Sequence, residues 1–156
     1  MAQQTYQIGM IGLGVMGRNF ALNLADHGFS VVGYDLDEEQ VAPLKADAGD
    51  RHCRCPHSGE QFITDLAQPR AIMMLVPAGK PVDAVIQMLL PHLSPGDLLI
   101  DGGNSYYQDT ALRAKTLAAT IDYLGLGISG GEVGARQGPS LMPGGPRAAY
   151  QRVQPL

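Results

Sequence analysis

An apolar run from Tyr6 to Ile11 breaks into Gly12-Leu-Gly-Val-Met-Gly17, and from Met16 onward Phe20 and Leu24 recur at helical spacing. A strand that turns through glycine directly into a helix leaves few architectures open. The first glycine permits a tight turn, the second lets a ligand approach the backbone, and the third allows the helix to pack closely on its strand. Gly28 stands where a C′ glycine would end that helix. Phe29 to Tyr34 reads as a second strand, and Asp35 closes it where a dinucleotide-binding unit carries an acid.

The alternation continues along the chain. Asp37 and Gln40 form a capping-box pattern at the start of a helix, although Pro43 questions its length. After a polar Cys/His loop, Ser58 and Gln61 offer a second capping box, followed by a short helix from Phe62 to Ala67. Ala71 to Val76 is a fully apolar strand, and Pro81 to Leu93 a helix with proline in its first turn. Leu98 to Ile100 and Tyr123 to Ile128 read as strands, Thr110 to Ala119 as a helix, and Arg147 to Leu156 as the start of another. Strands alternating with helices predict an α/β fold with a doubly wound parallel (Rossmann) sheet.

Composition narrows the function classes. A chain of 156 residues, 45% hydrophobic and 17% charged, suits one domain with a sizeable core. Its 20 glycines show no collagen-like period and so belong to turns and ligand loops. A formal net charge of −4 without a Lys/Arg run argues against a nucleic-acid surface. No apolar run approaches the roughly 20 residues of a membrane span. Met1-Ala-Gln-Gln-Thr carries no basic leader, so a cytoplasmic location is expected. Cys53 and Cys55, flanked by His52 and His57, have the wrong spacing for a zinc knuckle and lack a second ligand pair. We expect no metal there, only a surface loop with incidental thiols.

The glycine motif, its preceding strand and the later acid together form a dinucleotide fingerprint. Gly12, Leu13, Gly14, Val15, Met16 and Gly17 would cradle the diphosphate, helped by the N-terminal dipole of the helix. Asp35 would accept hydrogen bonds from the adenosine ribose and repel a 2′-phosphate; Leu36 and Asp37 follow it, with no arginine. NAD is therefore expected in preference to NADP. Asp37 serves better as a helix cap. Asp101-Gly-Gly-Asn-Ser105, Ser129-Gly-Gly-Glu-Val-Gly-Ala-Arg136 and Gly138-Pro-Ser-Leu-Met-Pro-Gly-Gly145 read as loops holding backbone against a small molecule.

These motifs resemble those of the N-terminal, cofactor-binding part of decarboxylating 6-phosphogluconate dehydrogenases, within the wider β-hydroxyacid dehydrogenase group. The resemblance rests on Gly12 to Gly17, Met74-Leu-Val-Pro-Ala-Gly79, Asp101 to Thr110, and Ile128 to Gly145, and is weakest from Asp47 to Glu60. It implies that Val76, Pro77 and Ala78 border the cofactor and that Asn104 contacts both nicotinamide and sugar acid. It further implies that Ser129, Gly130 and Gly131 hold the substrate, 6-phosphogluconate. The activity implied is oxidative decarboxylation to ribulose 5-phosphate and CO2 with reduction of NAD(P), a step of the pentose phosphate pathway. Asp35-Leu36-Asp37 departs from the Asn-Arg-Thr triplet of NADP-type members, and Pro77 replaces a usual lysine.

The family's lysine base, glutamate acid, phosphate-gripping residues and dimer-forming all-helical domain would lie beyond Leu156. The chain is thus expected to be one domain over residues 1–156, truncated within its last helix and lacking that C-terminal domain. No catalytic residue is assigned; Lys80 and Lys115 are expected to be solvated, and Glu132 is given no role. The isolated chain is expected to be inactive, with a homodimer only for the full-length member. Two other readings are a non-catalytic NAD-binding fragment and a β-hydroxyacid dehydrogenase acting on another 3-hydroxy-carboxylate.

Overall fold

A computed structural model describes residues 5–156. The reading of Met1 to Gln4 as free of a basic leader lies outside the described residues. The chain runs β1 (Ile8–Ile11), α1 (Val15–Asp26), β2 (Val31–Tyr34), α2 (Glu38–Ala48), β3 (Cys53–Arg54), α3 (Gly59–Asp65), β4 (Ala71–Met74) and α4 (Lys80–Leu89). After a 3-10 turn at Leu90–His92 come β5 (Leu98–Asp101), α5 (Tyr107–Leu117), β6 (Asp122–Ser129), α6 (Gly131–Gln137), β7 (Ser140–Gly144) and α7 (Arg147–Val153). The sheet order is β3-β2-β1-β4-β5-β6-β7, parallel except for β7, which pairs antiparallel with β6. The first six strands follow the doubly wound order with its reversal between β1 and β4.

Helices cover both faces, which is why β1, β4 and β5 are buried along their whole length. Ile8, Met10, Phe20, Leu24, Met73, Leu98 and Ile100 pack on one side with Ala135 of α6 and Ala149 of α7. Ile11, Phe62, Ile72, Met74, Val82, Ile86, Leu99 and Leu117 pack on the other. Leu98, Leu99 and Ile100 thus alternate between two cores, as pleated backbone requires.

Several local expectations are refined. Asp37 caps α2 through the Glu39 N–H at 3.0 Å, not through a reciprocal box with Gln40. Ser58 accepts from the Gln61 N–H at 3.2 Å, but the Gln61 amide donates to Asp65 at 2.7 Å and closes no box. Pro43 sits inside α2, which continues past it to Ala48. The Cys/His segment is no loop: Cys53–Arg54 pairs parallel with β2, and Cys55 is buried in the core. The glycine-rich segment after Ser129 is likewise not only loop, because it holds α6 and the antiparallel β7. No helix among the described residues is long and apolar enough to cross a membrane.

Candidate nucleotide and substrate site

The carboxyl ends of the parallel strands meet beside the β1/β4 reversal, the edge where such sheets take ligands. Gly12 has φ +91°, and a side chain there would collide with the Leu75 carbonyl. A side chain at Gly17 would collide with the carbonyl oxygen of Gly12. The protein's own packing therefore demands both glycines. Gly14 differs: a Cβ there would meet nothing within 4 Å. It caps α1 without a side-chain hydrogen bond, and the first turn of α1 carries no acid. The positive end of that helix is left for an anion.

Leu13 turns its side chain into the core, and its N–H donates to Asp35 Oδ2 at 2.7 Å. It holds the acid in place and is not a free donor to the diphosphate. Val15 is exposed and Met16 half-buried beside it. Asp35 Oδ1 accepts from the Asp37 N–H at 3.0 Å, so the carboxylate is anchored at both oxygens. Leu36 is 81% exposed, and Asp37 is used as the α2 cap. A cavity of about 370 Å³ opens beside Asp35 and Leu36, walled by Gly12, Tyr34, Val76, Pro77 and the apolar face of α4 (Pro81, Ala84, Val85, Met88). An apolar slot rimmed by one carboxylate suits a flat base joined to a sugar. Ala78 is exposed and does not line this slot.

Asn104 has φ +58°, a left-handed conformation that asparagine tolerates better than most residues. It lines a hollow of about 380 Å³ together with Asp101, Thr110, Tyr123, Gly127 and Met142. Ser129, Gly130 and Gly131 are exposed where β6 passes into α6, and they do not line that hollow. The residues expected to hold substrate thus stand on neighbouring strand ends without sharing one cavity. Lys80 and Lys115 are exposed, as expected. Glu132 accepts from the Asn19 amide at 3.5 Å, linking α6 to α1.

Sequence reasoning assigned no role to Asp101, Tyr123 or Arg113. Asp101 is buried, and its Oδ2 accepts from the Tyr123 hydroxyl at 2.9 Å. Burial, reinforced by the Asp101 carboxylate, pushes the Tyr123 phenol far above its ordinary range. Arg113 donates to Asp83 at 2.7 Å and holds that carboxyl below the usual carboxylate range. An acid closing a wholly apolar strand was the available signal for Asp101; its partners, distant in sequence, left none. Among the described residues, no three His, Cys, Asp or Glu side chains are grouped to hold a metal ion.

Residues 7–156 match the family described as the NAD binding domain of 6-phosphogluconate dehydrogenase. The chain belongs to that family. It is 49% identical over 152 residues to a decarboxylating 6-phosphogluconate dehydrogenase of Synechococcus elongatus. A Bacillus subtilis relative named as NADP(+)-dependent and decarboxylating is 48% identical over 151 residues. Each match covers 96% of this chain and 32% of the relative, so the chain spans about a third of the length of these proteins. Among solved structures, Plasmodium falciparum 6-phosphogluconate dehydrogenase, described with cofactor NADP+ and with substrate 6-phosphogluconate, superposes with a TM-score of 0.91 at 38% identity. That match covers 96% of this chain and 32% of the other. The family, with its doubly wound fold and NAD(P)-binding role, agrees with the glycine cradle at the head of α1.

Proposed function

We propose that residues 1–156 form the NAD(P)-binding domain of a decarboxylating 6-phosphogluconate dehydrogenase. The domain would bind the dinucleotide and present one side of the sugar-acid site. The observation that carries this reading is the pairing of an open Gly14 at the head of α1 with a doubly anchored Asp35 beside an apolar slot. Gly14, Val15 and Met16 would face the diphosphate, Asp35 the adenosine ribose, and Val76 and Pro77 the slot for the base; Ala78 would border the cofactor farther along the loop. Asn104 would meet the nicotinamide and the sugar acid, with Ser129, Gly130 and Gly131 as further substrate donors through their hydroxyl and backbone N–H groups. The nicotinamide, when bound, supplies a hydride acceptor for oxidation of the substrate hydroxyl. This chain's own residues bind and orient; none is assigned as proton donor or acceptor.

Within that reading we infer a preference for NAD, even though two of the relatives are named or described with NADP+. A ribose 2′-phosphate would bring like charge to a carboxylate that backbone hydrogen bonds hold in place. Calorimetric titration at matched salt should give NAD an advantage of about tenfold or more over NADP. Asp35→Asn should narrow that ratio. Tighter NADP binding by the unaltered chain would overturn the preference, and binding of neither would overturn the nucleotide site.

A further inference from the structure

Arg113 lies on α5, yet its guanidinium reaches two loops at the carboxyl edge of the sheet. Its side chain is only 10% exposed. Nη2 donates to the carbonyl of Gly79, in the loop between β4 and α4, at 3.2 Å. Nε donates to Asp83 in the first turn of α4 at 2.7 Å. Nη1 faces the other loop, 3.5 Å from the Ser105 hydroxyl and 3.7 Å from Asp101 Oδ2. Asp101 is itself fixed by the Tyr123 hydroxyl at 2.9 Å and by the Gly103 N–H at 3.2 Å.

The two loops also touch directly. The Gly102 N–H donates to the Met74 carbonyl at 2.9 Å, and any side chain at Gly103 would strike the Val76 carbonyl. Asn104, held at φ +58°, projects from the middle of this junction. A forked, planar cation with five donors can join two loops in this way; a lysine, with a single ammonium, cannot span the same set.

We propose that Arg113 is a positioning residue for the nicotinamide half of the cofactor. Through Asp101 and Asp83 it locks Val76 to Gly79 against Gly102 to Ser105, and thereby sets the Asn104 amide. The inference rests on the proposed dinucleotide site but concerns a different part of it. The diphosphate and ribose contacts proposed at Gly14 to Met16 and at Asp35 lie on α1 and β2, which Arg113 does not touch; it reaches the base slot only indirectly, through the loop that carries Val76 and Pro77. Binding by this clamp should therefore separate into two halves.

The test compares NAD with ADP-ribose, which keeps the adenosine and diphosphate but lacks nicotinamide, on the 156-residue chain and on Arg113→Lys. Asp83→Asn serves as a milder second variant because Asp83 is half-exposed and its loss leaves the core intact. The unaltered chain should bind NAD more tightly than ADP-ribose. Arg113→Lys should lose about tenfold of that advantage, the scale of a hydrogen bond to a charged group, with ADP-ribose, which meets the same loop only at Val76 and Pro77, losing clearly less than NAD. Asp83→Asn should lose part of it. Equal losses for both ligands would mean a general structural role and overturn the proposal, as would an unchanged NAD advantage in Arg113→Lys or no NAD advantage in the unaltered chain. If the unaltered chain binds neither ligand, the dinucleotide reading falls, and the positioning role with it.

Discussion

Gly14 and Gly17 stand in one motif but answer to different demands. At Gly17 a methyl group would drive into the Gly12 carbonyl, so Gly17→Ala must shift α1 away from β1. We expect a loss of about 1–3 kcal/mol, in the range of overpacking changes, measured by urea denaturation. At Gly14 the same methyl group meets open space and a backbone φ of −58° that alanine adopts easily. Gly14→Ala should leave the denaturation midpoint nearly unchanged while weakening NAD. If both variants lose stability alike, Gly14 is a packing glycine and not a ligand-facing one. The motif's spacing made all three glycines legible, because turn, approach and helix packing act within six residues. Asp101 and Arg113 were not legible, because their roles depend on contacts among α4, α5 and two loops.

Strand β3 is the element where local reading and structure part most clearly. His52, Cys53, Arg54 and Cys55 alternate outward and inward, with Cys55 buried and Cys53 half-buried. Two paired residues are too few for a period to stand out, and polar neighbours masked the inward thiols. Burial raises the Cys53 thiol to about 12, with Cys55 adding to the effect, and burial raises Cys55 to about 11. Both should stay protonated at pH 8 and label slowly with an alkylating reagent until the chain is unfolded. Labelling at the rate of a free thiol in the folded chain would contradict this packing. The sign is fixed: the folded state keeps protons that the unfolded thiols release above their ordinary 9.0, so this contribution is complete below that pH and fades above it. Helix α6 and strand β7 were hidden for another reason. Glycine and proline there disfavour regular structure locally, and it is pairing with β6 and packing on α1 that impose it.

Across the whole molecule, Asp26 ties together parts far apart in sequence. It ends α1 and pairs with Arg51, before β3, and with Arg136 of α6. Hydrogen bonds from Arg51 and then Arg136 hold its carboxyl below the ordinary 3.8. The stability it contributes is therefore present above that value and lost as pH falls through the lowered one. Asp26→Asn should lower the Tm at pH 7, and the two melting curves should converge as pH drops below 3.8. A gap that persists undiminished at pH 2.5 would show that the pair of ion contacts is not the cause. The alternation of strands and helices from β1 to β6 apart from β3, the turn at Gly12 and the acid after β2 were decided by the sequence itself, because periodicity, capping and glycine spacing act over one or two turns of chain. Tertiary structure alone decided that Leu13 holds Asp35, that β7 runs antiparallel at the edge, that Ser129 stands apart from the hollow at Asn104, and that Arg113 spans two loops. Each depends on which side chains the folded sheet brings within hydrogen-bond reach, and separation along the chain carries no record of that.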